Sequence, residues 1–370
     1  MGYSSAMGRV TEVRIARRTG FCYGVREAID KAKEAAAAGK RTHTLGQVVH
    51  NEGVIAALQA QGIQTVDTLD EVFDGSAVVI RAHGVRPEVL TRAEERGLEV
   101  IDGTCTWVIQ EQREITRLVE EGYTIVLLGT PHHPEVVGLL GFAPEAIVVD
   151  EEDDWAKIPH RKKMALLSQS TQPPWKFEKL AAFMVGRCHE LKIANTVCPV
   201  TIRRQQDTME AAAEVDLMVV VGGRSSANTK ELTRLCGIVG TRAIQIESED
   251  DLTDPAIFGD ARVVGVTGGT STPIEDLRCV AERILRVAGT PGAAARAEEL
   301  ATAALAAAAT PAGRTTSLPT IAAVDKLGRA SGHSPVPPES ATLGPTRTAG
   351  LDAVDHGSAG KRAASAIIPG

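Results

Sequence analysis

The chain has 370 residues, of which 43% are hydrophobic, and its formal net charge is −7. This length allows two or three domains with sizeable cores, and the acidic balance argues against nucleic acid as a ligand. No stretch approaches the roughly 18 consecutive apolar residues that cross a membrane, and the N-terminus lacks the apolar core of a signal peptide. We therefore expect a cytoplasmic protein that binds neither membrane nor nucleic acid and keeps its six cysteines reduced.

Runs of β-branched residues alternate with longer amphipathic segments over the first 290 residues. This alternation is typical of an α/β protein with mainly parallel sheets. In chain order, the clearest predicted strands are 78–82, 124–129, 146–150, 217–223, 243–248 and 263–269. Ala, Pro, Gly, Ser and Thr dominate residues 290–370, so we expect a disordered tail outside the fold, with an alanine run at 303–309 that is transiently helical.

One pattern occurs three times: a strand-like run, small polar residues, a cysteine and a helical segment. The cysteines are Cys22, Cys105 and Cys198, which are separated by 83 and 93 positions. A polar residue that ends the next strand-like run follows each cysteine after 28 positions; these residues are His50, His133 and Ser226. The pattern predicts three similar α/β units of about 90 residues, at 13–98, 99–190 and 191–289.

Polar motifs follow the predicted strands of all three units. Ligands of open α/β sheets bind beyond the carboxyl ends of the strands, so units packed around a pseudo-threefold axis would bring these motifs to one cavity. The residues concerned are His50, His83, His133, Glu135, Ser170, Ser226, Asn228 and Ser271. Each cysteine also begins a helix, where the macrodipole stabilises a thiolate. Three thiolates fit zinc with a fourth ligand or a cubic iron–sulfur cluster, and spacing alone does not choose between them.

The motifs GFCYGV, VVHN, AHGV, GTC, HPEVVG, SSAN and GTSTP resemble, in order and spacing, those of the 4-hydroxy-3-methylbut-2-enyl diphosphate reductase family. The resemblance runs from about Val13 to Leu285. It implies three α/β units around one 4Fe-4S cluster and a ferredoxin or flavodoxin as electron donor. It also implies reductive removal of the allylic hydroxyl of the substrate to give isopentenyl and dimethylallyl diphosphates, the last step of the non-mevalonate isoprenoid pathway.

The resemblance also implies roles for single residues. Cys22, Cys105 and Cys198 match the cluster ligands. Glu135 matches the acid that delivers the proton, and Ser170 stands where a threonine is usual beside the substrate hydroxyl. His133 is assigned to catalysis as well as to binding. The positions that match the substrate-binding residues are His50, His83, His133, Ser170, Ser226, Ala227, Asn228 and Ser271.

The sequence departs from the family pattern near these sites. Thr106 and Trp107 follow Cys105 where a proline is usual, and Arg203 replaces an asparagine. Ala227 replaces a serine, which predicts weaker diphosphate binding. Two rival functions remain open: a cluster-binding paralogue that senses redox state or iron, and a zinc-dependent phosphohydrolase that uses the same thiols and histidines. Buried apolar packing is the expected role of the other cysteines, Cys188, Cys236 and Cys279.

Overall fold

The computed structural model describes residues 10–224 and 226–309. Twelve strands in this part of the chain form three four-stranded sheets. The strands are β1 (Glu12–Ile15), β2 (Thr42–Leu45), β3 (Gln64–Val66), β4 (Ala77–Ile80), β5 (Glu99–Asp102), β6 (Thr124–Leu128), β7 (Ile147–Val149), β8 (Arg161–Ser168), β9 (Cys188–Ile193), β10 (Leu217–Val221), β11 (Arg242–Ile246) and β12 (Val263–Gly268). The helices are α1 (Tyr23–Ala37), α2 (Glu52–Ala60), α3 (Pro87–Glu95), α4 (Thr106–Glu120), α5 (Pro134–Leu139), α6 (Pro174–Met184), α7 (Pro199–Ala212), α8 (Ala227–Ile238), α9 (Ile274–Val287) and α10 (Ala293–Ala309).

The three sheets share one topology, and all of their strand pairs are parallel. Their strand orders are β3-β2-β4-β5, β7-β6-β8-β9 and β11-β10-β12-β1. The central strand β2 is mostly polar although it is buried, whereas β4 (Ala77–Ile80) and β10 (Leu217–Val221) are unbroken apolar runs whose side chains are all buried. Such runs are typical of parallel strands covered by helices on both faces. The predicted α/β class with mainly parallel sheets is confirmed.

The sheets divide the chain at other places than the predicted unit boundaries. β1 pairs with β12, so the first strand belongs to the third sheet. β5 pairs with β4 and β9 pairs with β8, so residues 99–102 and 188–193 complete the sheets that precede the predicted boundaries at 98 and 190. The strand-like run predicted before each cysteine is β1, β5 or β9, and each is an edge strand of the sheet that the predicted boundary cuts off from it.

Helix α10 corrects the prediction that the chain after residue 290 lies outside the fold. It packs against α9, and its alanines at positions 293, 297, 301 and 304 are buried. The four residues recur at helical spacing, so even small side chains form a continuous contact stripe. The remainder of the predicted disordered tail, from residue 310, lies outside the described residues. Among the helices described, none is both long and apolar enough to span a bilayer.

Candidate active site

The three cysteines occupy equivalent positions at the ends of the three sheets. Each one follows the edge strand of a sheet and is the N-cap residue of the helix that leads to the next sheet, α1, α4 or α7. Each backbone N–H donates to a carbonyl just beyond the neighbouring strand. The acceptors are Thr270 for Cys22 at 3.2 Å, Ala82 for Cys105 at 3.0 Å and Ser170 for Cys198 at 2.8 Å. The threefold repeat therefore extends to the hydrogen bonds that hold the thiols.

Gly24 allows two of these cysteines to approach each other. A Cβ atom at Gly24 would lie 2.7 Å from the Sγ of Cys105, closer than such atoms pack. Because Gly24 is two residues from Cys22, the Cys105 thiol reaches the first turn of the helix that Cys22 caps. A glycine at this position keeps open the space between the two thiols.

Burial favours the neutral form of the Cys105 and Cys198 thiols. It raises the pKa of Cys105, and it raises the pKa of Cys198 to about 11, while the backbone N–H groups of the following helical turn act in the opposite direction. The charge of Cys22 raises both values further. Three mutually close thiols at three helix N-termini fit a metal or an anionic cluster, whose binding would release thiol protons.

A cavity of about 350 Å³ extends from the three thiols. It is lined by every residue that the sequence predicted for the site: Cys22, Cys105, Cys198, His50, His83, His133, Glu135, Ser170, Ser226, Ala227, Asn228 and Ser271. The cavity also contacts side chains that sequence reasoning left out, including Thr130, Thr171, Thr201 and Thr270. His132 lines it as well. Thr171 and Thr270 are next to the predicted residues Ser170 and Ser271, but the sequence did not indicate that their side chains face the cavity.

Three histidines form one wall of this cavity. Their ring centroids lie 5.6 Å apart for His50 and His83, 5.2 Å for His83 and His133, and 6.1 Å for His50 and His133. The Nδ1 atom of His133 accepts a hydrogen bond from the N–H of Glu135 at 3.2 Å, so the proton of a neutral His133 ring is on Nε2. The Nδ1 atom of His83 is buried and has no partner among the described residues.

Arg81 is a cation close to these rings that the sequence reasoning missed. Burial lowers the pKa of all three histidines, and the charge of Arg81 lowers each of them further, to about 4 for His133. The histidines are therefore neutral donors at neutral pH, with a permanent positive charge beside them. An anion bound here would favour the protonated rings, so its binding is coupled to proton uptake.

The N-terminus of α8 supplies further donors to the cavity. Ser226 caps the helix, and its Oγ accepts from the N–H of Thr229 at 3.3 Å, which leaves the hydroxyl proton for a ligand. Asn228 is buried, and neither its Oδ1 nor its Nδ2 has a partner among the described residues. A buried amide without partners costs free energy unless a ligand satisfies it. This helix end suits a phosphate group.

A buried acid also lines the cavity. The side chain of Glu135 is 2% exposed, and its two oxygens accept from the N–H of Ser170 at 2.5 Å and from the Ser170 hydroxyl at 2.7 Å. Burial raises the pKa of Glu135, and the hydrogen bonds from Ser170 oppose the rise. The carbonyl of Ser170 accepts from the N–H of Cys198, so this acid–hydroxyl pair adjoins the thiols.

Comparison with known proteins identifies the family. The profile of one family, described as LytB protein, matches residues 13–285. The chain belongs to the LytB family. A 4-hydroxy-3-methylbut-2-enyl diphosphate reductase of Anaeromyxobacter sp. (strain K) is 40% identical over 263 residues, which cover 71% of this chain and 94% of the relative. The enzyme of the same name from Geobacter metallireducens is 37% identical over 277 residues, which cover 75% and 98%.

Solved structures agree with this assignment. One is a structure of (E)-4-hydroxy-3-methyl-but-2-enyl diphosphate reductase, the terminal enzyme of the non-mevalonate pathway. It is 31% identical to this LytB chain and has a TM-score of 0.59, and the match covers 75% of this chain and 100% of that structure. The reductase from Plasmodium falciparum has a TM-score of 0.70 at 24% identity, and the match covers 78% of this chain and 90% of that structure. This likeness supports the fold. The resemblance predicted from seven motifs is confirmed, with the same limits at Val13 and Leu285.

Trp107, a departure from the expected LytB pattern, has a fixed position in the structure. Its indole N–H donates to the carbonyl of Thr196 at 2.7 Å, and its side chain lines the cavity near Cys105. Cys105 still caps α4 although Thr106 takes the place of the usual proline. The unexpected pair therefore preserves the helix start that positions the thiol and adds an apolar surface beside it.

Ala227 provides a test of diphosphate recognition in this LytB chain. It is exposed to the cavity between Ser226 and Asn228 and offers no side-chain donor. We expect Ala227→Ser to lower KM for the diphosphate substrate roughly 3- to 10-fold with little change in kcat, since one hydrogen bond is added to a non-reacting group. Steady-state kinetics check the prediction, with Ala227→Gly as the control without a hydroxyl. An equal KM for the serine variant and the native chain would show that position 227 does not contact the diphosphate.

Glu111 is a second buried acid, and the LytB motifs do not include it. It lies on α4, is 1% exposed, and neither carboxyl oxygen has a hydrogen-bond partner among the described residues. The nearby hydroxyl of Thr196 donates to the carbonyl of Ser168 at 2.6 Å instead. Burial raises the pKa of Glu111 well above its usual range, and the charge of Glu135 raises it further. Burial therefore favours the protonated form of Glu111.

This group makes the stability of the LytB chain depend on pH. The pKa of Glu111 is higher in the folded than in the unfolded chain. Its contribution to folding stability is therefore fully present at a pH below its pKa in the unfolded chain. That contribution is lost as the pH rises through its pKa in the folded chain. We expect Glu111→Met to raise the free energy of unfolding by about 1–3 kcal/mol near pH 7, since an unpartnered polar group is removed. Urea unfolding of anaerobic protein between pH 5 and 8 (about the range of maximal stability) measures the gain.

The companion variant Glu111→Gln keeps the polar group and removes only the titration. The increase in its free energy of unfolding relative to the native chain should therefore grow with pH and disappear at low pH. A gain that is independent of pH in both variants would mean that Glu111 is not held protonated by the fold.

Proposed function

We propose that this chain catalyses the reductive dehydroxylation of (E)-4-hydroxy-3-methylbut-2-enyl diphosphate to isopentenyl and dimethylallyl diphosphates, the last step of the non-mevalonate isoprenoid pathway. The observation that carries the proposal is the convergence of three helix-capping cysteines, three histidines and a buried acid on one cavity. Two relatives that this chain matches over nearly their whole length bear the name of this reductase. Two electrons and two protons enter each reaction, and one water molecule leaves.

The diphosphate binds between the histidines and the N-terminus of α8. His50, His83 and His133 donate from one side, with Arg81 supplying permanent positive charge behind them. Ser226, Asn228 and Ser271 donate from the other side. Each charge-assisted hydrogen bond of this kind contributes about 1.5–3 kcal/mol, so the set binds a diphosphate without a lysine cluster.

Glu135 and Ser170 act on the hydroxyl that leaves. Hydroxide is a poor leaving group, so its departure requires a proton at the oxygen. Glu135 holds that proton because burial raises its pKa, and the Ser170 hydroxyl at 2.7 Å carries it to the substrate. His133, whose Nδ1 accepts from the N–H of Glu135 at 3.2 Å, lies beside this proton donor.

Cys22, Cys105 and Cys198 hold one 4Fe-4S cluster in this proposal. Three thiols with N–H groups of the next helical turn directed at them suit a cluster with one iron left without a protein ligand. A cluster held by these three residues would supply electrons and Lewis acidity to the reaction. A ferredoxin or flavodoxin in the cytoplasm delivers the electrons one at a time.

Anaerobic purification followed by metal analysis and an activity assay tests the proposal. About four irons per chain, with turnover of the hydroxymethylbutenyl diphosphate by a chemically reduced sample, support the reductase. A cluster without turnover would favour a redox or iron sensor. A colourless protein with one zinc ion per chain that hydrolyses phosphate esters would overturn the proposal in favour of the phosphohydrolase.

A further inference from the structure

A second cleft reaches Cys22 from the outer surface. Its volume is about 440 Å³, and Cys22 and Val200 line both this cleft and the substrate cavity. The thiol is thus approached from two sides. A molecule in the outer cleft would lie next to a group held by the cysteines without entering the space that the substrate occupies.

Four arginines line this outer cleft: Arg18, Arg26, Arg203 and Arg204. The guanidinium of Arg18 pairs with Asp207, with 2.6 Å between Nε and Oδ2. Arg204 is buried and donates to three backbone carbonyls. Arg26 and Arg203 are exposed, and within residues 10–224 and 226–309 neither forms an ion pair. Two cations therefore point to solvent beside two that are already engaged.

The positive cleft contrasts with the charge of the whole molecule. The chain carries −7 overall, and of the acidic side chains near the cleft Asp207 pairs with Arg18 and Glu27 with Lys31 at 3.1 Å, while the charge of the exposed Glu210 acts on Arg18. A local field of the opposite sign orients an approaching acidic protein, which the remaining surface repels. Charge complementarity thus selects an acidic partner for this cleft.

The neutral residues of the cleft suit a protein partner. Tyr23 is 66% exposed at the start of α1, and Phe21 lines the cleft beside it. Exposed tyrosine together with arginine is the composition enriched at protein interfaces. Leu305 of α10 borders the same cleft and is 38% exposed. The surface is small, as in weak electron-transfer encounters, which bury less than about 1,200 Å².

We propose that the outer cleft is the docking site of a small acidic one-electron carrier protein, recognised by Arg26 and Arg203 and contacted by Tyr23. The inference rests on the proposed function, which consumes two electrons for each substrate. A one-electron carrier must dock, pass on its electron and leave twice in every turnover, so a weak interface governed by charge is required. Arg203, which departs from the family pattern, gains a role as part of this interface.

Charge reversal tests the proposal. The variant is the anaerobic cluster-loaded enzyme with Arg26→Glu and Arg203→Glu, and the probe is a flavodoxin. Calorimetric titration should give a Kd at least about 10-fold higher than for the native enzyme, with a weaker dependence on salt. KM for reduced flavodoxin should rise by a similar factor, while turnover with reduced methyl viologen stays unchanged because the small dye needs no docking surface.

A matched pair controls for net charge. Arg113→Glu with Lys162→Glu makes the same change at two exposed residues that do not line the cleft. Equal weakening by both pairs, or unchanged flavodoxin binding in the cleft variant, would overturn the docking site. The milder pair Arg26→Gln with Arg203→Asn should give an intermediate Kd, and it decides the question if charge reversal lowers iron content. Native enzyme without turnover even with methyl viologen would instead contradict the proposed function.

Discussion

Replacement of Glu135 by glutamine is expected to lower kcat about 10²- to 10⁴-fold, because the amide fills the same space but carries no acidic proton. The acid is 2% exposed and bonded to Ser170 through both oxygens, so the glutamine can keep the contact with the hydroxyl. Iron content and the Kd of the diphosphate should be unchanged, since the Glu135 side chain bonds to Ser170 and to neither the thiols nor the helix end proposed to bind phosphate. Single-turnover kinetics with metal analysis measure all three quantities.

Two further variants separate proton delivery from packing. Ser170→Ala should also slow turnover, whereas Ser170→Thr keeps the hydroxyl and should retain most of it. Glu145→Gln is the matched control, since it makes the same change at an exposed residue of the same predicted unit. Full turnover in Glu135→Gln would refute the acid role.

The pH dependence of kcat in the native enzyme is a second test of this role. Because burial raises the pKa of Glu135, native kcat should fall only as the pH rises through that raised pKa.

Replacement of Cys105 by alanine is expected to abolish turnover and reduce the iron from about four per chain towards zero. The three thiols are structurally equivalent, and losing one removes a third of the protein ligands of the cluster. Visible absorption and iron analysis of anaerobically reconstituted protein report the loss independently of activity. Cys105 is the most informative of the three because Thr106 and Trp107 depart from the family pattern beside it.

Cys188→Ala serves as the comparison for this variant. Cys188 is also half-buried, but it packs at the edge of a hydrophobic cluster and lies outside the cavity. Its replacement should leave the iron content intact. Full iron in Cys105→Ala would contradict ligation by this thiol, and one zinc ion lost in place of iron would favour the phosphohydrolase.

Much of the site was readable from the sequence because its residues follow strands at a constant offset. The interval of 28 residues between each cysteine and the polar residue of the next strand-like run can be counted directly along the sequence. Among the central strands, β4 and β10 were equally clear, since both are unbroken apolar runs. The run before each cysteine was recognised as strand-like, but its place at a sheet edge was not, because Glu99–Asp102 and Cys188–Ile193 mix polar and apolar residues without a clean alternation.

Other features depend on tertiary contacts that no local pattern records. Glu111 reads as one more charged residue on an amphipathic helix, and only packing reveals that it is buried without a partner. Arg81 reads as a residue next to a histidine motif, and the structure places its charge beside three rings. Helix α10 has little sequence signal beyond alanine content, and its burial against α9 depends on a face that α9 provides.

The pairing of β1 with β12 has a consequence for the order in which the protein matures. Glu12 pairs with Val263, so the third sheet is completed only by joining segments about 250 positions apart, a contact that forms slowly. Cys22 follows β1 directly and is held by the carbonyl of Thr270. A ribosome-bound chain that has not yet exposed β12 therefore has two thiols in place and the third unanchored. The proposed cluster, held by all three thiols, would therefore form only after β12 has joined β1.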